Sequence, residues 1–258
     1  MKNSYKLTVF FLLLITSLTA NGNDRPAMAQ RIESQMQAVD RHEFDLPRDA
    51  ARKPLETFTF LGLRSGMTAM DVGAYAGYTT EMLSAGVGPK GKVYSHNSEA
   101  VLLRYADGYY KRTMDERLAN NRLPNVVLHI REYNNLGLKD ELDFAFLGNL
   151  LHDFYYRDGE VNAILFLESI RTALKPGGIL GVMDHVGVNG RDNKNLHRIE
   201  PAVARELLLR AGFVIEAESD LFANPQDEHK LQVYDKAIYR RTDRFLIRAT
   251  KPDHQQRG

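Results

Sequence analysis

Five side chains able to carry protons or hold a metal fall in three short stretches of this sequence. They are His152 and Asp153 in GNLLHDFYY, Asp184 and His185 in VMDHV, and His197, beside Arg198, in NLHRIEP. Histidine titrates near neutral pH and aspartate accepts protons, so the set suits general acid–base work. The same residues offer nitrogen and oxygen donors to a divalent ion, but their spacing matches no ligand motif, and no metal is expected. Arg198 suits an anionic substrate group. Another stretch, AMDVGAYAGYTTEML from Ala69 to Leu83, reads as a strand, a glycine-spaced turn and the start of a helix. Gly73 and Gly77 permit close backbone approaches that a side chain blocks. Asp71, at the strand end, can order the turn by accepting N–H bonds. A nucleotide-type pocket is built this way, beyond the carboxyl ends of the strands of an open sheet.

Strands and helices must bring these stretches together. TAMDVGA, GKVYSHN, NVVLHI, ELDFAFLGNLL from Leu142, and GILGVMDHV read as strands. Between them, helices are expected at Gly77 to Ala85, at Glu99 to Asn120 as one long element, and at Asp158 to Leu174, stopped by KPGG. PLETFTFLGLRSGM is expected to form a short helix ending near Gly66, and the preceding polar segment a helix followed by a loop broken at Pro47. EPAVARELLLRAGF is a helix with Pro201 in its first turn and Gly212 past its end. FVIEAESD and DRFLIRAT are two late strands with no helix between them, so the last strand is expected to insert antiparallel. Strands alternating with helices indicate an α/β chain with a mainly parallel sheet. The connection from Leu221 to Thr242 is polar and long enough to be a lid, a binding loop or partly helical.

Bulk properties narrow the function class. The 258 residues carry a net charge of +1, which gives no electrostatic case for nucleic acid or an anionic membrane. Cysteine is absent, which excludes disulfides, thiolate metal sites and lipid attachment after the leader. Lys2 and Lys6 precede an apolar run from Leu7 to Leu18, and SLTA ends in a small residue. That is the layout of a signal peptide cleaved after Ala20, and the run is short of the roughly 20 residues that span a bilayer. The expected organisation is a signal peptide at 1–20, a helical extension at 21–53, one domain at 54–252 and a tail at 253–258. A periplasmic or secreted location, without stable membrane insertion, follows from the leader.

The series DVGAYAG, GKVYSHN, HIREYNNL, LDFAFLGNLLHD, ALKPGGILGVMDH and AGFVIEAESD with TDRFLIRATKP resembles class I S-adenosylmethionine-dependent methyltransferases, over about Pro54 to Pro252. HRIEPAV, ESDLFANPQDEH and TDRFLIRATKP are similar to a group of bacterial predicted methyltransferases, often exported. The resemblance implies a Rossmann-like three-layer sandwich whose mostly parallel seven-stranded sheet ends in an antiparallel strand. It implies S-adenosylmethionine as cofactor and a small or medium-sized acceptor, with a base from His152, His185 or His197. It places Asp71, Gly73 and Gly77 along the methionine part of the cofactor, Asn97 at the ribose and Glu132 near the adenine. Asn149 and Leu150 would lie between cofactor and substrate. Tyr75 stands where the family turn usually has its middle glycine, and would pack on the ligand or fill its place. Asn97 stands where an acid usually holds the ribose hydroxyls. A neutral hydrogen bond contributes about 0.5–1.5 kcal/mol against about 1.5–3 for a charged one, so cofactor binding about tenfold weaker is expected. The alternative is a non-methylating ligand-binding protein, or a metal or acid–base enzyme, on the same scaffold; an exported chain meets no cytoplasmic supply of this cofactor.

Overall fold

A computed structural model describes residues 24–253. The leader expected at 1–20 and the tail beyond 253 lie outside the described residues. The strands are β1 (Thr68–Val72), β2 (Lys92–Asn97), β3 (Val126–Ile130), β4 (Leu142–Gly148), β5 (Leu174–His185), β6 (Val214–Ser219) and β7 (Arg244–Thr250). They form one seven-stranded sheet in the order β3-β2-β1-β4-β5-β7-β6. β1 to β5 pair in parallel, and β7 lies antiparallel between β5 and β6. The chain reverses direction across the sheet between β1 and β4, so a crevice belongs at the carboxyl ends of those two strands.

Side-chain alternation shows why the sheet is covered on both faces. On β4, Ala145 and Leu147 enter one core, and Phe144 and Phe146 enter the other. On β5, Leu180 and Val182 face the first core, and Ile179 and Met183 the second. A parallel sheet between helical layers buries both sets. Helices α7 (Glu160–Ala173) and α9 (Pro201–Arg210) cover the first face, with Phe166, Ile170 and Leu207 packed inward. Helices α1 (Asp24–Met36), α3 (Pro54–Leu61) and α4 (Tyr78–Val87) cover the second. Met28 and Ile32 of α1 are fully buried there, each contributing about 1.5–3 kcal/mol by its burial. Arg31 fastens the same helix, donating from Nε to the Ala85 carbonyl at 2.8 Å and from Nη2 to the Gly86 carbonyl at 2.7 Å.

Several boundaries differ from the sequence expectation. Pro47 sits in the first turn of α2 (Leu46–Arg52) instead of breaking a loop, because a residue without an N–H is tolerated there. The helix α3 stops at Gly62, where the N–H groups of Gly62 and Leu63 both donate to the Phe58 carbonyl at 3.0 Å. The helix expected from Glu99 to Asn120 is broken. A π-turn (Ala100–Arg104) and a 3-10 turn (Tyr105–Gly108) precede α5 (Tyr109–Leu118). Tyr105 is extended, and Asp107 and Gly108 are left-handed at φ 52° and 71°, so no α-helical ladder can run through them. β5 begins at Leu174, ahead of KPGG. Among the described residues, the connection after β6 contains neither helix nor strand, and no helix is long and apolar enough to cross a membrane.

His96 on β2 is fully buried, with Nε2 3.0 Å from the Arg131 carbonyl oxygen. Burial, opposed by that bond, lowers its pKa from 6.5 to about 4. An unfolded chain takes up this proton below about pH 6.5, whereas the folded chain resists until about pH 4. Stability is therefore present above pH 6.5 and lost as pH falls toward 4, by about 3 kcal/mol. Urea unfolding of wild type and His96→Gln at pH 7.5 and 4.5 checks this. The expected result is a gap between the two proteins that narrows at low pH.

Candidate active site

The turn after β1 is held by residues behind it. Asp71 is buried and its Oδ2 accepts from the Thr80 hydroxyl at 2.7 Å. Desolvation outweighs that bond and raises its pKa to about 6. Gly73 and Gly77 have φ of 72° and 82°, a region that costs other residues about 1–2 kcal/mol. Tyr75 sits in that region too, at φ 49°. Its N–H donates to Asn97 Oδ1 at 2.9 Å, and Asn97 Nδ2 lies 3.5 Å from its carbonyl oxygen. The buried Asn97 amide thus pins a strained turn.

Close packing surrounds the turn. A Cβ at Gly73 would lie 2.5 Å from Leu150 Cδ2 and 3.5 Å from the Tyr133 hydroxyl; one at Gly77 would collide with Met114 Sδ. Glu132 is exposed after β3, while Tyr133 beside it turns inward against His96, Phe154 and Phe166. Asn149, left-handed at φ 54°, donates its N–H to the Met183 carbonyl at 2.7 Å. With its amide oxygen turned to Arg52, it accepts from both terminal guanidinium nitrogens at 3.0 and 3.2 Å. Burial lowers the Arg52 pKa, and among the described residues no carboxylate lies within ion-pair distance of it.

The ionisable residues from three loops do converge. His152 and Asp153 lie in the short helix α6 (Leu151–Asp153), Asp184 and His185 end β5, and His197 follows the helix α8 (Asn193–Leu196). Asp184 is fully buried; its Oδ1 lies 2.7 Å from His152 Nδ1 and accepts from the His185 N–H at 2.8 Å, and its Oδ2 accepts from the His152 N–H at 3.0 Å. Asp153 Oδ1 lies 3.3 Å from His152 Nε2 and 3.4 Å from His197 Nδ1. Carboxylate and imidazole thus alternate from Asp184 outward to His197. Burial opposes the charge on His152, but Asp184 and Asp153 outweigh it and push its pKa up to about 10. His185 behaves oppositely: burial, reinforced by Arg244, holds it well below its ordinary value. Its Nδ1 lies 2.8 Å from the Thr242 hydroxyl. Thr242 also lines a cavity of about 330 Å³ walled by Lys53, Phe222, Arg241 and Arg244.

Arg198 stands apart from this chemistry and is not placed to hold an anionic substrate. It is fully buried, paired with Asp227 Oδ2 at 2.9 Å, and donates to the Val186 carbonyl at 3.1 Å. It anchors the long connection, because Asp227 also accepts the N–H groups of His229 at 3.0 Å and Asp243 at 2.8 Å. Tyrosines that the sequence reading left aside border the cluster. The Tyr234 ring lies 5.3 Å from that of His197, and Tyr75 packs on Tyr110, which stacks on Tyr105. Burial first, then Tyr133 and the Asp153 charge, raise the Tyr75 phenol pKa. The Tyr75 side chain, in the glycine turn, is thus within electrostatic reach of Asp153. The one available signal was the recurrence of tyrosine in ADGYYKR. Tyr155 and Tyr156, which follow His152 and Asp153 along the chain, pack on each other with ring centroids 4.9 Å apart.

The sequence matches no family model and no curated protein. Solved structures do match the fold. A SAM-dependent methyltransferase from Aquifex aeolicus aligns over 84% of this chain and 97% of its own, with 22% identity and a TM-score of 0.58. The [4+2]-cyclase SpnF aligns over 88% and 93%, with 17% identity and a TM-score of 0.59. A SAM-dependent O-methyltransferase from Thermotoga maritima aligns over 88% and 72%, with 18% identity and a TM-score of 0.52. The seven-stranded sheet between two helical layers is the Rossmann-like fold of S-adenosylmethionine-dependent methyltransferases, and a cyclase shares it.

Proposed function

We propose that this chain is an S-adenosylmethionine-dependent methyltransferase acting on a small or medium-sized acceptor. The observation that carries the reading is a convergence. The glycine turn after β1 and the His/Asp chain after β4 and β5 lie at the same, carboxyl end of the parallel sheet, and Tyr75 of the turn lies within electrostatic reach of Asp153. The residues fit the cofactor at Arg52, whose guanidinium has no carboxylate within ion-pair distance among the described residues and suits the carboxylate of the methionine part. When bound, the cofactor supplies an electrophilic methyl group. His197, a third exposed and with Nδ1 3.4 Å from Asp153 Oδ1, takes the proton from the acceptor as the acceptor's lone pair attacks. Both nitrogens of His152 face carboxylates, so it positions Asp153 instead. Orientation of acceptor and methyl group provides much of the rate.

Calorimetric titration with S-adenosylmethionine and S-adenosylhomocysteine tests the reading. Binding with a Kd on the order of 1–100 µM is expected, and no binding at millimolar ligand overturns it. The alternative of a non-methylating protein draws on Asn97, whose amide faces the Tyr75 backbone. Export by the leader is part of the proposal, and amino-terminal sequencing that finds Met1 intact would overturn it.

A further inference from the structure

Three side-chain atoms at the end of the His/Asp chain have the geometry of a metal site. One ligand atom from each of His152, Asp153 and His197 lies within 4.8 Å of the other two. Asp153 Oδ1 is 3.3 Å from His152 Nε2 and 3.4 Å from His197 Nδ1. Bonds of about 2.0–2.2 Å to a tetrahedral ion set neighbouring ligand atoms about 3.3–3.5 Å apart. These distances are long for hydrogen bonds, and among the described residues neither His152 Nε2 nor His197 Nδ1 has a hydrogen-bond partner. The His152 side chain is only 3% exposed. A buried, unpartnered imidazole nitrogen loses its hydration without replacement. An ion at that point removes the deficit.

The outer contacts fit as well. His152 turns its other nitrogen, Nδ1, to Asp184 Oδ1 at 2.7 Å. Metal-ligating histidines almost always donate their second N–H to a carboxylate or carbonyl, which fixes the tautomer and the ring. Asp184 is itself held by the N–H groups of His152 and His185. His197, with its side chain 33% exposed, is the ligand with room to adjust to an ion.

We propose that His152 Nε2, an Asp153 carboxylate oxygen and His197 Nδ1 bind a divalent transition metal of zinc type, leaving one coordination position open. Two imidazoles and one carboxylate suit zinc better than magnesium or calcium, which prefer all-oxygen sites. Three protein ligands with an open position are the arrangement of catalytic zinc. The open position takes a water or an acceptor oxygen, and the ion lowers its pKa to near 7. With the ion bound, His197 is a ligand and the metal activates the acceptor in place of the histidine. The site stands on the cluster geometry alone, so it holds whether or not the glycine turn binds S-adenosylmethionine.

The test uses the full chain, stripped with EDTA, dialysed and titrated with zinc chloride by calorimetry. A single equivalent is expected to bind with a Kd of about 1 µM or tighter. Cobalt(II) at the same site is expected to give the intense visible bands of a four-coordinate ion. Losing the second carboxylate in Asp184→Asn is expected to weaken zinc by about 10–100-fold, and losing a direct ligand in His197→Ala or Asp153→Ala by more. His229→Ala, whose imidazole pairs with Asp243 on the long connection, is expected to leave affinity unchanged. The absence of saturable zinc binding and of cobalt bands in the wild-type chain would overturn the site. So would unchanged zinc affinity in a folded His197→Ala or Asp153→Ala protein. Titration with S-adenosylhomocysteine on the same samples reports separately on the glycine turn.

Discussion

Replacing Glu81 with alanine is expected to destabilise the fold by about 3–5 kcal/mol. Glu81 lies on α4 with no exposed surface. Its carboxylate pairs with Arg117 and Arg122, and Oε1 accepts from Gln35 Nε2 at 2.7 Å. Burial favours the neutral acid, but the two guanidiniums prevail and keep its pKa below the usual carboxylate value. Arg117 is the partner at risk. Its side chain is 1% exposed, and it also pairs with Asp45 at 2.8 Å and donates to the Ala76 carbonyl at 3.0 Å. Alanine leaves that cation buried with half of its neutralising charge. The same change loosens the glycine turn, because Arg117 packs under Gly77 and holds Ala76. Urea unfolding measures the loss. Its contribution is present above the ordinary carboxylate range and disappears as pH falls through the lowered pKa. In a double-mutant cycle, Arg117→Ala is expected to cost much less in the Glu81→Ala background than alone. A loss under about 1 kcal/mol would show that water screens the cluster.

Gly73→Val is expected to abolish binding of S-adenosylhomocysteine at concentrations that saturate the wild-type chain. Valine puts a branched Cβ at a φ of +72°, which that residue type avoids. The new atom meets Leu150 Cδ2 at 2.5 Å and the Tyr133 hydroxyl at 3.5 Å. Its methyl groups are then forced against Leu150 and Tyr133, which displaces the turn that the ligand would contact. The backbone strain alone is about 1–2 kcal/mol, so a folded protein remains for calorimetry, and circular dichroism confirms it. Retained binding would place the ligand elsewhere and remove the turn from the proposed function.

Much of the architecture was legible in the sequence. Alternating strands and helices, and the closing strand pair without a helix, led to an α/β chain with a mainly parallel sheet and an antiparallel last strand, and the observed pairing agrees; the Rossmann-like sandwich came from the family resemblance. These signals are local: apolar period, helix stops and turn residues act over a few neighbours. Where local rules compete, the reading missed. Pro47 breaks a helix or starts one according to its position in the first turn. The span after Glu99 has helical apolar spacing, yet left-handed Asp107 and Gly108 divide it and turn Tyr105 and Tyr110 toward each other.

Within the site, residue type alone chose the members of the acid–base cluster but not their roles. His152, Asp153, Asp184, His185 and His197 come together as expected, because strand ends on one side of a parallel sheet share one edge. That two carboxylates raise the His152 pKa while burial beside Arg244 lowers that of His185 depends on distances of a few ångströms. So does the use of Arg198 as an anchor for the long connection instead of a substrate clamp. The amino-acid order fixed which groups this protein has and the sheet that carries them. Only the tertiary structure decided which of them meet, because burial and pairing energies depend on neighbours that lie far away along the chain.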